Sequence, residues 1–287
     1  MANPTTGSNV TYSIASTSKY IPALWTREVE RPFTQALVAA NLVQRRDDLA
    51  SNGGDTVNVP FMAQVNARAK SASTGITYDS PEAAPVSISI NKHYYSGVLI
   101  EDIAKVQASY DLRSMFQEAQ AEAVARQIDT DVLGLWASAG TTVAGGAAID
   151  DADIIAVVAA LDASYTPQSE RYGVIGAGAK GDLLNINKYI AYDQTGKTGK
   201  AIDGSTGLVA SVYGMDLYLS QNVPVSTTGK EQFFHKKALT LVQQLKPTYL
   251  MEYSVDQIGW KTVLNAIYGV AVERAGSFVA VTRTTAA

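Results

Sequence analysis

There is no cysteine in this chain, so neither a disulfide nor a thiolate-held metal braces its fold. The absence fits a product of a reducing cytoplasm. Histidine occurs only twice, as His93 and His235. A Ser/His/Asp triad needs one of them, yet no serine sits in a glycine-flanked nucleophile elbow. Both histidines are therefore expected to be structural or surface residues. Charge is scarce as well: Asp, Glu, Lys and Arg make up 17% of the 287 residues, against about 25% in an ordinary globular chain. A large surface with so few charges points to coverage by other chains. The net charge of −4 argues against a dedicated nucleic-acid binder, which carries a basic stripe to neutralise phosphates. It leaves open a protein that encloses DNA without gripping it. No run of 18 apolar residues is present, so no helical membrane span is readable. The first twenty residues lack a basic region followed by an apolar stretch, unlike a secretory signal.

Those twenty residues are rich in Ser, Thr and Asn and read as an extended arm that gains order against a partner. Residues 21–43 carry a helical pattern, opened by Pro22 at a first-turn position and interrupted by Pro32. A second segment there places Phe33, Leu37 and Ala40 on one side. Asn52-Gly53-Gly54-Asp55 is a turn. Val57, Val59 and Phe61 then alternate with polar neighbours, as do Val86, Ile88 and Ile90, which predicts two strands. About 24 residues of mostly Ala, Ser, Thr, Gly and Pro lie between them, too few large side chains for a core of their own. A strand pair of nine residues or so reaches roughly 30 Å at about 3.3 Å per residue. The radius of gyration for this length is only about 19 Å, so such an arm is expected to touch something outside its own subunit.

Residues 111–138 hold the longest helical pattern, with Leu112, Met115, Phe116, Ala119, Ala123, Ile128, Val132, Leu135 and Trp136 as its apolar stripe. Asp111 is expected as its N-cap and Gly140 as its stop. At about 1.5 Å per residue it makes a rod of about 40 Å. Further on, 150–161 predicts a capped helix with Ile154, Ile155, Val158 and Leu161 inward. Residues 171–175 predict a strand, 179–190 a helix, 195–207 a glycine-rich loop, and 212–219 a strand interrupted at Gly214. The remainder to Val281 is mainly β, with strands expected at 239–244, 249–255, 261–267, 270–273 and 278–281.

The chemical motifs along the way have plain explanations. Gly176-Ala177-Gly178-Ala179-Lys180-Gly181 follows a strand and opens a helix, the setting of a dinucleotide-binding turn. That motif also requires a parallel strand ending in an acidic residue about 20 positions on, and no apolar strand begins before Leu208. Thr195-Gly196-Lys197-Thr198 imitates a phosphate-binding loop, but Ala191 stands where its first glycine belongs. Asp150, Asp151 and Asp153 suit helix capping and the helix dipole better than a calcium loop. Asp129 and Asp131 lie two apart on a helix and face different ways. The chain is not expected to be an enzyme or to need a cofactor or metal.

The order of elements resembles the Hong Kong 97-type major capsid proteins of tailed bacteriophages, across nearly the whole chain. The resemblance is carried by the polar arm, by Ile21-Pro22-Ala23-Leu24-Trp25, and by Gly54-Asp55-Thr56-Val57-Asn58-Val59-Pro60 opening the long hairpin. Ile100-Glu101-Asp102 before the long helix and Arg171-Tyr172-Gly173-Val174-Ile175 follow. Gly214-Met215-Asp216-Leu217, Ser220-Gln221-Asn222-Val223-Pro224 and Tyr268-Gly269-Val270 complete it. The resemblance implies an α+β fold in four parts. Residues 1–54 form the N-terminal arm and first helices, and 55–100 the extended β-hairpin loop. Residues 101–148 with 225–287 form a peripheral domain built on the spine helix, and 149–224 an axial domain. It implies a shell protein that assembles as hexamers and pentamers around double-stranded DNA, without sequence-specific binding and without a membrane. A separate scaffolding protein, a portal and decoration proteins are the implied partners. The implied location is the virion, after synthesis in the host bacterial cytoplasm. Contacts between subunits are expected at Arg68, Lys70, Thr74, Tyr78 and Glu82 in the extended loop. Tyr12 and Lys19 in the arm, and Lys197 and Lys200 in the axial loop, are expected to join them. The alternatives are another virion part (tail tube or decoration) and a nucleotide-binding enzyme using Gly176 to Gly181.

Overall fold

The computed structural model describes residues 37–50, 54–62, 65–78, 84–103, 112–190, 208–224 and 228–284. A short helix α1 (Ala39–Leu42), strand β1 (Gln44–Arg45) and helix α2 (Asp47–Ala50) come first. Ala39 and Leu42 point inward. Strands β2 (Thr56–Phe61) and β3 (Ala84–Ser89) follow, six residues each where a reach of about nine was expected. Their antiparallel register sets Val57 opposite Ile88 and Val59 opposite Val86, so the two apolar alternations fall on one face. Strand β4 (Lys92–Glu101) leads towards the long helix α3 (Leu112–Leu133).

Helix α3 tightens into a 3-10 turn, Gly134–Ser138, and the chain leaves it at Ala139, one residue before the expected stop. The buried side of α3 runs Gln120, Val124, Ile128, Val132, a strict four-residue spacing, while Ala119 from the expected stripe is exposed. Two polar residues of α3 are also buried, Gln120 and Asp129: the Gln120 side-chain amide donates to the Thr262 carbonyl, and Asp129 accepts from the Ala40 amide. Strand β5 (Thr141–Ala144), absent from the sequence reading, is short and mostly exposed. Helix α4 (Asp151–Ala163) has the expected cap. Asp150 accepts from the Asp153 amide at 3.0 Å and Asp153 accepts from the Asp150 amide at 3.1 Å, a reciprocal capping box. Ile154, Val157 and Leu161 are buried in α4; Ile155, expected inward, is 48% exposed because Val157 takes the inner position.

Strand β6 (Arg171–Ile175) is as expected. The helix expected over 179–190 is two helices, α5 (Ala177–Leu184) and α6 (Asn187–Ile190), parted at Asn185. The segment read as one strand broken at Gly214 is a hairpin of β7 (Leu208–Val212) and β8 (Met215–Leu219). Val212 pairs with Met215, and the two turn residues Tyr213 and Gly214 have φ of +49° and +79°. That is the left-handed pair a two-residue hairpin turn requires.

Strands β9 (Thr228–His235), β10 (Leu239–Ser254), β11 (Gly259–Val272) and β12 (Phe278–Thr284) complete the chain. Four of the expected short strands are thus two long ones. Strand β10 continues past Lys246 and Pro247 because the ladder to β11 shifts register between Leu245 and Thr248. A bulge there leaves the proline out of the ladder, which it has no N–H to join.

Among the described residues the strands form three sheets: β1-β10-β11-β4, β5-β12-β9-β6-β8-β7, and the β2-β3 pair. In the six-stranded sheet β6 lies parallel to β8 and β12 parallel to β5, the other pairs being antiparallel. Helix α3 covers one face of the four-stranded sheet through Val124, Ile128, Leu264, Ala266 and Tyr268. Helices α4 and α5 cover the six-stranded sheet through Ile154, Val157, Leu183, Phe233 and Val281.

Candidate intersubunit surfaces

The base of the β2-β3 hairpin belongs to the chain's own packed structure. Val59, Ile88 and Ile90 pack with Val242 on the sheet face away from α3, flanked by Ile267 and Ala271. The approach is close enough to demand a glycine below it. A Cβ built on Gly269 would stand 2.4 Å from the Ser89 carbonyl oxygen, well inside contact distance. The Arg274 guanidinium also lies over the Phe61 ring at 5.2 Å.

Beyond Phe61 the arm changes character. Every described residue from 65 to 78 is exposed and none is in a strand or helix. Val65, Ile76 and Tyr78 are 59%, 62% and 88% exposed, although burying such side chains would stabilise the chain by about 1.5–3 kcal/mol each. One local tie is made at a turn, where Thr74 donates from its amide and its hydroxyl to the Ser71 carbonyl at 3.4 and 2.8 Å. Of the residues expected at contacts, Arg68, Lys70, Thr74 and Tyr78 all lie on this exposed stretch. Tyr12, Lys19, Glu82, Lys197 and Lys200 lie outside the described residues, as do the expected segments at 1–20 and 195–207.

A second surface was missed by the sequence reading. On β4 the even-numbered residues Tyr94, Ser96, Val98 and Ile100 face α3, which leaves Tyr95, Gly97 and Leu99 on the opposite face. The ladder places Gly97 opposite Val263, and Val263 opposite Leu250. Tyr95 is 74% exposed, and Leu99 and Leu250 are exposed with it. The hairpin base covers the near half of this face and leaves this half open among the described residues. A readable signal was present: the pairs Tyr94-Tyr95 and Val98-Leu99 put apolar groups on both faces of one strand, a pattern of strands covered on both sides.

Two polar clusters elsewhere are structural ties. Asp151, in the first turn of α4, accepts from the Tyr189 hydroxyl at 2.5 Å, the Tyr213 hydroxyl at 2.7 Å and Lys188 Nζ at 2.9 Å. Desolvation works to raise its pKa, but the three donors outweigh it and hold the carboxyl below its ordinary value. This clasp binds the β7-β8 turn to α4 and α6. Beneath α5, Arg283 lies 3.4 Å from Asp182 and 3.7 Å from Glu231. Burial pushes the Glu231 carboxyl up, with Arg283 only partly opposing it, and Glu231 Oε2 has no hydrogen-bond partner. His235 is buried and pushed down by desolvation, its Nδ1 accepting from the Lys237 amide at 3.1 Å, while His93 is exposed on β4.

The glycine turn at Gly176 to Gly181 has a packing role. Gly176 caps α5, and a Cβ on Gly178 would stand 2.0 Å from the Arg283 guanidinium. The glycine admits an arginine side chain of the protein itself at the helix start. No group of His, Asp and Glu suited to a metal occurs among the described residues. None of the helices described is long and apolar enough to cross a membrane.

No family model matches the chain, and no curated protein does. Solved structures do. A chain of Mycobacterium phage Che8 superposes with a TM-score of 0.79 at 24% identity, over 93% of this chain and 98% of that one. A chain from the capsid structure of the cyanophage P-SCSP1u gives 0.75 at 18% identity, over 94% and 95%. A chain from the mature capsid of bacteriophage PhiM1 gives 0.73 at 13%, over 93% of both. Superposition over nearly the full length of each chain establishes the α+β fold of phage capsid chains, the Hong Kong 97-like architecture.

Proposed function

We propose that this chain, which shares its fold with phage capsid chains, is the major capsid protein of a tailed bacteriophage. The observation that carries this reading is the hairpin whose base is packed on its own sheet and whose described tip residues, 65–78, are all exposed. A fixed base aims the tip, and the apolar groups on the tip gain burial only against another molecule. Copies of the chain supply such a surface at every site of a closed shell, through interfaces repeated by symmetry. The four parts follow the boundaries 1–54, 55–100, 101–148 with 225–287, and 149–224. Arg68, Lys70, Thr74 and Tyr78 meet a neighbouring subunit, and Glu82, Tyr12, Lys19, Lys197 and Lys200 do so from the remaining segments. The role is structural, with no reaction catalysed. Hexamers and pentamers form the shell in the virion after synthesis in the host cytoplasm, aided by a scaffolding protein, joined to a portal and open to decoration proteins. Double-stranded DNA is enclosed without sequence-specific binding.

The test is assembly. The purified full chain, produced with and without its scaffold, should yield capsomers or closed particles in electron micrographs. A compact monomer at high concentration under both conditions would overturn the proposal, and hollow tubes would move the chain to a tail-tube role.

A further inference from the structure

Three connections meet at one end of the six-stranded sheet: residues 164–170 between α4 and β6, 235–237 between β9 and β10, and 274–277 between β11 and β12. Between them lies a cleft of about 400 Å³, lined by Ser164, Tyr165, Ser169, Glu170, His235, Lys237, Arg274 and Ser277 among others. The whole molecule is net negative, whereas the cleft brings together Lys237 and Arg274 from two separate walls. The one carboxylate in the lining, Glu170, is already held by Lys236 Nζ at 3.2 Å. Neither Lys237 nor Arg274 forms an ion pair among the described residues; the Arg274 guanidinium rests its face over the Phe61 ring at 5.2 Å, a contact that leaves its edge donors to be filled.

The walls are built to stay in place. Arg171, buried in β6, donates to the Pro167 carbonyl at 2.8 Å, to the Thr166 carbonyl at 2.6 Å and to Asp162 at 2.6 Å. The Thr166 hydroxyl joins the Ser277 hydroxyl at 2.9 Å, and the Lys236 amide donates to the Glu170 carbonyl at 3.1 Å. The first wall is thereby tied to the other two. Within it, Tyr165 and Glu170 adopt φ of +53° and +54°. A left-handed backbone at two non-glycine residues is strained and persists where the surroundings enforce it, commonly at binding sites. The Lys237 amide occupies His235 Nδ1, so the neutral ring carries its hydrogen on Nε2 and keeps one donor to offer.

From this we infer that the cleft is an anion site for a phosphate group, held by Lys237 and Arg274 with the Ser169 and Ser277 hydroxyls and His235 as supporting donors. Donor-bearing side chains on three walls suit a tetrahedral oxyanion better than a planar carboxylate, and Arg is suited to bind two of its oxygens at once. The phosphate comes either from free solution or from a DNA backbone. The second source rests on the shell reading, and the first does not.

The full-length, unassembled chain titrated with inorganic phosphate, with sodium acetate at equal ionic strength as control, tests the site by NMR shifts of the cleft amides. A short mixed-sequence duplex titrated in parallel, with binding followed against salt, separates the sources. Saturable phosphate binding that weakens at least tenfold in Lys237→Gln/Arg274→Gln is the expected result. A duplex bound at the same site should lose about 1.8 from the slope of log K against log salt in that variant, about 0.9 per cation removed. Duplex and phosphate together identify the polymer as the source, and phosphate alone identifies the free ion. Equal binding of acetate, no saturable phosphate binding, or binding unchanged in the folded double variant overturns the inference. Lys237→Gln, at an exposed turn position, serves as the single variant if the Arg274 change unfolds the chain. Failure here leaves the shell reading untouched, since particle formation is scored separately.

Discussion

The Asn222 side-chain amide donates to Asp129 Oδ2 at 3.0 Å, across 93 residues of sequence, and the Ala40 amide donates to Oδ1 of the same carboxylate at 3.0 Å. Asp129 is fully buried on α3, so one side chain of the long helix ties down both the first helix and the segment that ends at Pro224. Asp131, two residues on, faces the other way and accepts from the Tyr268 hydroxyl at 2.7 Å.

Removing that carboxylate strands the buried Asn222 amide and the half-buried Ala40 amide. Asp129→Ala is expected to lower stability by about 2–4 kcal/mol, and Asn222→Ala by about 1–2 kcal/mol. Urea denaturation of both singles and the double should return a coupling energy of about 0.5–2 kcal/mol. Strict additivity would mean that the bond is not made in solution.

Glu231 makes the opposite kind of contribution. Its folded pKa is raised above the ordinary value of 4.5, so the folded state binds the proton more tightly than the unfolded state. The stabilisation is fully present below about pH 4.5 and is lost as pH rises through the folded value. Glu231→Gln should therefore be more stable than the parent at pH 7–8, the advantage shrinking towards pH 4. Denaturation midpoints across that range check it.

Asp151 should show the reverse trend, because its folded pKa lies below the ordinary 3.8. Its contribution is present above that value and disappears as pH falls through the folded one. Asp151→Asn is expected to cost about 1–2 kcal/mol at pH 7 and to lose less stability than the parent between pH 4 and 2, by thermal melts.

Gly269→Ala pushes a methyl group against the Ser89 carbonyl. With backbone on the far side, the clash is relieved only by lifting β3 from the sheet. A loss of about 2–4 kcal/mol is expected, together with faster hydrogen exchange confined to β2 and β3.

Deleting residues 67–78 should leave the subunit folded, with a stability change within about 0.5 kcal/mol, because nothing in that stretch is buried. Assembly into particles should be lost. A subunit that unfolds on deletion would show that the tip packs internally.

Local pattern decided a good deal. The alternation at Val57, Val59, Val86 and Ile88 set the paired strands, Asp150 and Asp153 set the start of α4, and the four-residue spacing of Ile128 and Val132 marked the inner side of the spine helix, where Val124 takes the place expected of Ala123. These signals lie within a few residues, where backbone geometry alone relates the side chains. The exposed tip was legible for a related reason, since a run with so few large side chains builds no core of its own wherever it lies. What the tertiary structure alone decided depends on partners far apart in sequence. The continuity of β10 through Pro247 came from a bulge against β11. Ile155 turned outward because Val157 filled the inner position. Gly178 is needed for Arg283, and the open face at Tyr95, Leu99 and Leu250 appeared only once the ladder brought β4, β11 and β10 together. Composition and periodicity determine which face of an element is apolar; which other element covers that face, and which part stays bare, is decided only when the chain has folded.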